Sequence, residues 1–304
     1  MDTIKAVVEQ QLHTAVISVT DIGKGATATA FCVETETAPC KLVVKTGKYA
    51  ELLCREKEML DFLASKVHYK VPKTYFYVHD GNRAYLGMEY IEGTNGANRK
   101  ILLLRNKKQL ANCIVDGLLD MQSVKNDKFG VFDNAEYDTW QEYYTDFFES
   151  IFAFAMKKYK NGEIKHVVID ALNEARLHFD AIFQDVSKTA CISHGDYWMA
   201  NMLIDTKNCT VAGVIDPNNV AWVEPEYELF AMTVGHGKIL NLYKIYKNRK
   251  TVSRYCDLKI ELYALVNELD WYKNLGFCPK NYLYYRARRL RKQIKKNKLK
   301  ETES

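Results

Sequence analysis

The sequence predicts an α+β chain: an antiparallel, strand-rich N-terminal region followed by a mainly helical region. Three observations support this. Apolar runs of strand length, bounded by Gly, Pro, Asn and Asp, crowd the first 92 residues. From Gly93 onward, apolar residues recur at helical spacing. Inside that helical stretch, residues 189–192, 202–204 and 211–215 are short apolar runs, which read as buried strands of a hairpin.

The elements follow in order. Ile4, Val7, Val8 and Leu12 mark a short helix over residues 4–14, and residues 16–19 form a strand. A loop, Asp21-Ile22-Gly23-Lys24-Gly25-Ala26-Thr27, leads to a returning strand over 30–34. Gly-x-Gly is common in plain hairpins, so alone it reads first as one. Leu42-Val43-Val44-Lys45 is the next strand. A helix over residues 49–65 carries Leu53, Met59, Leu60 and Leu63 on or near one face, with Glu56 and Glu58 among its acids. Val71-Pro72 ends it. Strands over 74–78 and 83–88 are joined by the polar turn His79-Asp80-Gly81-Asn82. The second runs into Glu89-Tyr90-Ile91-Glu92-Gly93.

Beyond Gly93, residues 108–124 are an amphipathic helix on Leu110, Ile114, Leu118 and Met121. Residues 129–132 read as a turn-rich insert. Residues 137–158 carry an aromatic stripe, Trp140, Tyr143, Tyr144, Phe147, Phe148, Phe152 and Phe154, whose helical spacing reads first as core and second as an aromatic wall for a substrate. Another helix spans 167–183, with His178 in a structural role, and the chain is helical again from Leu229 to about Leu275. His236, between glycines, is given no role.

Composition bounds the function classes. With 47% apolar and 27% charged residues, the chain is an ordinary globular one. No window approaches 18 consecutive apolar residues, so no membrane span is expected, and the start lacks a basic-then-apolar signal. Eight scattered cysteines form no Cys-x-x-Cys pair, which points to reduced thiols in a cytoplasmic protein. The net charge of +5 hides an asymmetry: residues 286–300 carry nine Lys or Arg and no acid, so the rest is mildly acidic. That basic arm, 286–304, reads as a solvated helix end or disordered tail. It lacks an aromatic-interleaved motif for nucleic acid.

The chemistry concentrates in Ser193-His194-Gly195-Asp196-Tyr197-Trp198-Met199-Ala200-Asn201 and Gly213-Val214-Ile215-Asp216-Pro217. Asp196, Asn201 and Asp216 flank the hairpin strands, where they can converge three oxygen ligands. A hard cation such as Mg2+ wants such ligands and shares them with a nucleotide's phosphates. His194 is expected to hold the loop backbone.

This spacing, with His-Gly-Asp and Asp216-Pro217, resembles the aminoglycoside phosphotransferase and fructosamine kinase superfamily, small-molecule kinases on the protein-kinase-like fold. Glycine loop, strand Lys, helix Glu, hinge, Asp-x-x-x-x-Asn and metal Asp occur in the kinase order across residues 21–228. The resemblance implies two lobes, 1–92 and 93–285, with ATP between them. It implies that Gly23 and Gly25 cover phosphates, that Lys45 contacts the α- and β-phosphates, and that Glu56, with Glu58 as rival, orients Lys45. Glu89 C=O and Ile91 N–H would read adenine, Asp196 would accept the substrate hydroxyl proton, and Asn201 and Asp216 would bind Mg2+. The acceptor is a small-molecule hydroxyl. Glu224, Glu226 and Glu228, with the acidic body, suit a cationic acceptor such as an aminoglycoside, an amine-bearing sugar or choline, although Glu228 matches a bracing position. Ala221-Trp222-Val223-Glu224-Pro225 departs from the fructosamine kinase pattern Tyr-Gly-His-Arg-Glu. Two other classes stay open: a non-catalytic nucleotide-binding scaffold, and a protein kinase, which the missing Ala-Pro-Glu disfavours.

Overall fold

The computed structural model describes residues 1–25 and 27–299. In chain order the elements begin α1 (Asp2–Leu12), β1 (Val16–Lys24), β2 (Thr29–Thr35), β3 (Lys41–Gly47), α2 (Ala50–Ala64), β4 (Thr74–His79), β5 (Ala84–Glu89), β6 (Thr94–Asn95) and α3 (Lys107–Ser123). Next come β7 (Lys125–Asn126), β8 (Phe129–Val131), β9 (Asn134–Tyr137), α4 (Trp140–Lys160), α5 (His166–Arg176), α6 (Phe179–Phe183) and β10 (Ala190–Ser193). The rest are β11 (Met202–Asp205), β12 (Thr210–Val214), β13 (Ala221–Val223), α7 (Gly235–Ile239), α8 (Leu242–Lys247), α9 (Cys256–Leu275) and α10 (Lys280–Lys296). The chain forms two compact units, Met1–Met121 with His194–Val220, and Gln122–Ser193 with Ala221 onward. Residues 93–121 and 194–220 thus belong with residues 1–92 in the first unit.

The first unit is built on an antiparallel sheet of order β1-β2-β3-β5-β4. The two-residue period of β3 sends Leu42 and Val44 to one face. There they join Val16, Val33, Phe76 and Tyr85, and α1 covers them with Ile4 and Val8. Leu42 and Val44 are fully buried, worth about 1.5–3 kcal/mol each. Lys45 points to the other face, toward α2. On α2, Leu53, Glu56, Leu60 and Leu63 fall at i, i+3, i+7 and i+10, one stripe, and its leucines are buried. Glu56 is therefore carried to the sheet by its apolar neighbours, whereas Glu58 faces outward and pairs with Arg55 at 3.0 Å.

A second sheet in this unit, β12-β11-β6, holds the hairpin. The chain does not turn helical directly after Gly93: Thr94 and Asn95 pair with Ile204 and Leu203. The Gly96 N–H then donates to Met202 C=O at 2.8 Å. Gly96 has to be Gly, because a side chain there would strike the Met199 carbonyl.

In the second unit, β10 departs from the sequence expectation. Residues 190–193 are not part of the hairpin; they pair with β13 and β7 in a sheet of order β7-β10-β13-β8-β9. All four residues of β10 are buried, so the run needs strand neighbours on both edges. Residues 129–132, expected as a turn-rich insert, supply β8 of the same sheet. The expected helix over 167–183 is two helices, broken at the buried His178.

The aromatic stripe is core. Trp140, Tyr144 and Phe148 are buried, and the Trp140 indole N–H donates to Tyr263 Oη at 2.9 Å. Helix α4 starts on a capping box between Thr139 and Glu142. The basic arm is helical to Lys296; one face of it is packed, while Arg288, Lys292, Lys295 and Lys296 are exposed as expected of a solvated helix end. Leu283, Ala287 and Leu290 of α10 are fully buried, and Arg286 pairs with Glu261 of α9 at 3.0 Å. Arg291 donates to Glu174 at 2.7 Å and Asp170 at 3.3 Å on α5. The sequence count of charge could not show these partners, because they lie on other helices, 25 residues away for Arg286 and more than a hundred for Arg291. Residues 300–304 of the arm lie outside the described residues.

Candidate active site

The hairpin register places the key residues. Met202 pairs with Val214, so Asn201 and Asp216 flank the open end together. The Ile215 N–H donates to Asn201 C=O at 2.8 Å and fixes that spacing. The loop before it is a series of tight turns: Trp198 N–H to Asp196 C=O at 2.9 Å, and Asn201 N–H to Trp198 C=O at 3.0 Å. They bring Asn201 back to Asp196. Its Nδ2 donates to the Asp196 carbonyl at 3.0 Å and to Oδ2 at 2.6 Å. The five-residue spacing therefore orients the Asp196 carboxylate from within its own loop.

Asp216 has φ 56°, a left-handed conformation uncommon for a non-glycine residue. Its side chain is 48% exposed and ion-paired to Lys45. The same ammonium holds Glu56 at 2.6 Å, where both side chains are largely buried. One cation thus lies between two carboxylates, one from α2 and one from the hairpin end.

Two glycines make room for this loop. Gly195 has φ 78°, and a Cβ there would overlap the Asn218 carbonyl. The Asn218 N–H in turn donates to His194 C=O at 3.1 Å. Gly195→Ala is expected to lose roughly 3 kcal/mol or to displace the loop, since strain and overlap coincide. Chemical denaturation checks this; unchanged stability together with an unchanged Asp196 environment would contradict it. Gly117 on α3 plays the second part. It leaves space for Tyr197, whose hydroxyl donates to Ile114 C=O at 3.0 Å.

His194 is fully buried, and burial pushes its pKa down to about 3, although the Asp196 and Ile215 backbone pulls the other way. Neither ring nitrogen makes a hydrogen bond of good geometry. A neutral ring suits a packing role beside Tyr197, at 6.1 Å between centroids. The unfolded chain binds a proton here below about pH 6.5 while the folded chain does not until about 3. Stability should therefore fall as pH drops through that window, by up to about 1.4 kcal/mol per pH unit from this group. Urea melts at successive pH values test it, with His194→Asn showing a shallower slope.

The remaining candidates are more dispersed. Glu89 ends β5; its N–H donates to Lys73 C=O at 2.8 Å and its carboxylate pairs with Lys70 at 2.5 Å. Ile91 is buried against β12 at Gly213. The glycine loop is tighter than the sequence suggests. Asp21 to Lys24 continue β1, Gly23 pairs with Ala30, and Gly25 N–H donates to Ala28 C=O at 2.8 Å. Ala26 lies outside the described residues.

Glu224 and Glu226 are not free for a substrate cation. Both bond the fully buried Lys259 at 2.8 Å, and Glu226 also accepts from the Ser253 hydroxyl at 2.7 Å. Glu228 is buried as well. The charge count could not show that Glu224 and Glu226 share a buried partner, Lys259, on α9.

Sequence reasoning missed a bracing chain. Asp120 accepts from His68 N–H at 2.6 Å, and Lys70 C=O accepts from Val214 N–H at 2.8 Å, two residues before Asp216. Asn95 donates to Ala200 C=O at 2.6 Å. Asn95-Gly96 after Gly93 was the only local signal, a turn dipeptide inside an expected helix. Among the described residues no three His, Cys, Asp or Glu form a cluster that could hold a metal by themselves. No helix among them is long and apolar enough to cross a membrane.

Comparison with known proteins gives the same outline. The fructosamine kinase family pattern matches residues 1–296. Over 177 residues the chain is 23% identical to the uncharacterized protein YcbJ of Escherichia coli K12, covering 58% of this chain. The match spans 59% of that relative's length. Among solved structures, a protein of Haemophilus somnus 129PT assigned as a fructosamine-3-kinase superposes with a TM-score of 0.72 at 15% identity, over 96% of each chain. The aminoglycoside phosphotransferase APH(4)-Ia, in ternary complex with AMP-PNP and hygromycin B, gives 0.73 at 14% identity, over 98% of this chain and 99% of that one. At these identities the likeness establishes the α+β, kinase-like fold of the aminoglycoside phosphotransferases.

Proposed function

The chain belongs to the fructosamine kinase family, and from that premise we propose that it transfers the γ-phosphate of ATP to a hydroxyl of a small molecule. One observation carries the reading: Lys45 joins Glu56 to Asp216 while Asn201 locks Asp196 at the same hairpin end. A non-catalytic scaffold has no need of all five groups in one place.

In this reading Asp196 orients the acceptor hydroxyl and takes its proton as the phosphate arrives. Asn201 holds the Asp196 carboxylate in place through Nδ2 and has its amide oxygen to offer a cation. Lys45, positioned by Glu56, contacts the α- and β-phosphates, with Gly23 and Gly25 over them and Glu89 C=O and Ile91 N–H toward the adenine edge. The donor set fits Mg2+: Asn201 and Asp216 are hard oxygen ligands too few to hold an ion alone, and Mg2+ takes one or two such groups plus phosphate and water. The chemistry such an ion would supply there, held by Asn201 and Asp216, is neutralisation of the phosphate charge. Positioning and charge stabilisation supply most of the rate in such chemistry.

The acceptor we propose is a fructosamine, an aminoglycoside or another amine-bearing alcohol; the family and the hygromycin B complex of the structural neighbour support this reading. The test is acceptor-dependent ADP release from Mg-ATP across fructosamines, aminoglycosides, choline, homoserine and methylthioribose. Release with one acceptor names the substrate. Silence with all of them, together with tight Mg-ATP binding, favours the scaffold, and transfer to peptides instead would point to a protein kinase.

A further inference from the structure

We infer that the second unit carries a binding site for a small hydroxylated anion, such as a sugar phosphate, in a cavity between α7–α8, the first half of α9 and α10. The inference is independent of the proposed phosphoryl transfer, because every residue it uses lies in the second unit and its readout is binding. The cavity measures about 530 Å3, within the range of small-molecule sites.

Its charge is lopsided. Five Lys or Arg line it against two acids, Asp257 and Glu261. Glu261 is one carboxylate shared by two guanidiniums, Arg286 at 3.0 Å and Arg289 at 2.6 Å. Arg286 and Glu261 are both nearly buried, so the surplus positive charge rests on Arg289, whose side chain is 44% exposed and open to an anion. Glu268, the other carboxylate that Arg286 feels, is pushed up by burial, with Arg286 pulling it back. At the mouth, Lys238 and Lys244 are exposed and have no ion pair among the described residues, and the Lys247 ammonium rests over Tyr243, 4.4 Å from its centroid. Asp257 is engaged by the Tyr243 hydroxyl at 2.7 Å.

The spacing on α10 explains why the basic arm has this sequence. Leu283, Ala287, Leu290 and Ile294 form its buried stripe. Tyr282, Arg286, Arg289 and Gln293 fall at i, i+4, i+7 and i+11, a second stripe that lines the cavity. Gln293 adds the other half of the ligand's chemistry. Its Oε1 is buried without a hydrogen-bond partner, and an orphaned acceptor calls for a donor. A ligand hydroxyl supplies that donor, while Arg and Lys take the oxyanion.

The experiment is calorimetric titration of the full chain with glucose 6-phosphate, citrate and glucose. Glucose 6-phosphate should bind, and glucose should not. Citrate binding as tightly would show that a carboxylate serves as the anion. Binding should weaken at least tenfold in Lys244→Ala/Arg289→Ala, weaken with added salt, and persist in Lys45→Ala. If the Arg289 change impairs folding, Lys238→Ala/Lys244→Ala, two exposed positions, should still lower affinity severalfold. No binding of either anion, equal binding by the variants, equal binding of glucose, or loss of binding in Lys45→Ala would overturn the site.

Discussion

Lys45→Ala and Asp216→Ala are each expected to lower phosphoryl transfer by about a thousandfold or more while leaving the chain folded. The Lys45 ammonium lies between the Glu56 and Asp216 carboxylates, so either change breaks the same three-part arrangement. Removing Lys45 leaves the Glu56 carboxylate, 13% exposed, without its partner, at about 1–3 kcal/mol. Removing Asp216 should cost less, since that side chain is half exposed. Because the residues act as one unit, the double variant should be little slower than either single one. Steady-state ADP release alongside thermal melts would show this. Full activity in Asp216→Ala would mean the cation is held elsewhere, and additive losses would mean Lys45 and Asp216 act separately.

Lys259→Met should produce the largest stability loss. Lys259 is fully buried, its ammonium bonded to Glu224 and Glu226, and Tyr263 also donates to Glu224. Burial works against the Lys259 charge, but the two carboxylates outweigh it and hold its pKa up. Burial likewise raises Glu224, with Lys259 pulling the other way. Deleting the cation leaves two acids without their counter-charge in the core, a loss of about 3–5 kcal/mol. In a chain of this size that lowers the melting temperature on the order of 10 °C. Adding Glu224→Gln and Glu226→Gln should recover part of the loss, since the desolvated charges are then gone. No recovery would show that Lys259 matters through its packing.

Much of the first unit was legible because its determinants are local. The β3 alternation placed Lys45 opposite Leu42 and Val44, and the α2 stripe of Leu53, Leu60 and Leu63 carried Glu56 with it. The Asp196–Asn201 spacing is likewise a property of one loop. What the sequence hid was long-range. Residues 189–192 read as a hairpin strand because an apolar run does not name its neighbour; β13 and β7 decided that. Thr94-Asn95 is too short a strand to stand out from a helical stretch. Glu224 and Glu226 looked available, and the packed face of the basic arm looked solvated, because each found its counter-charge on another helix.

The most direct measurement follows the phosphate itself. The chain is incubated with γ-labelled ATP, Mg2+ and the acceptor that stimulates ADP release, beside Asp196→Asn. Label is expected on a hydroxyl of that acceptor with the wild-type chain, with a loss of about a hundredfold or more in the variant. Label that stays in ATP or reaches only water with every acceptor, or transfer undiminished in Asp196→Asn, would contradict it.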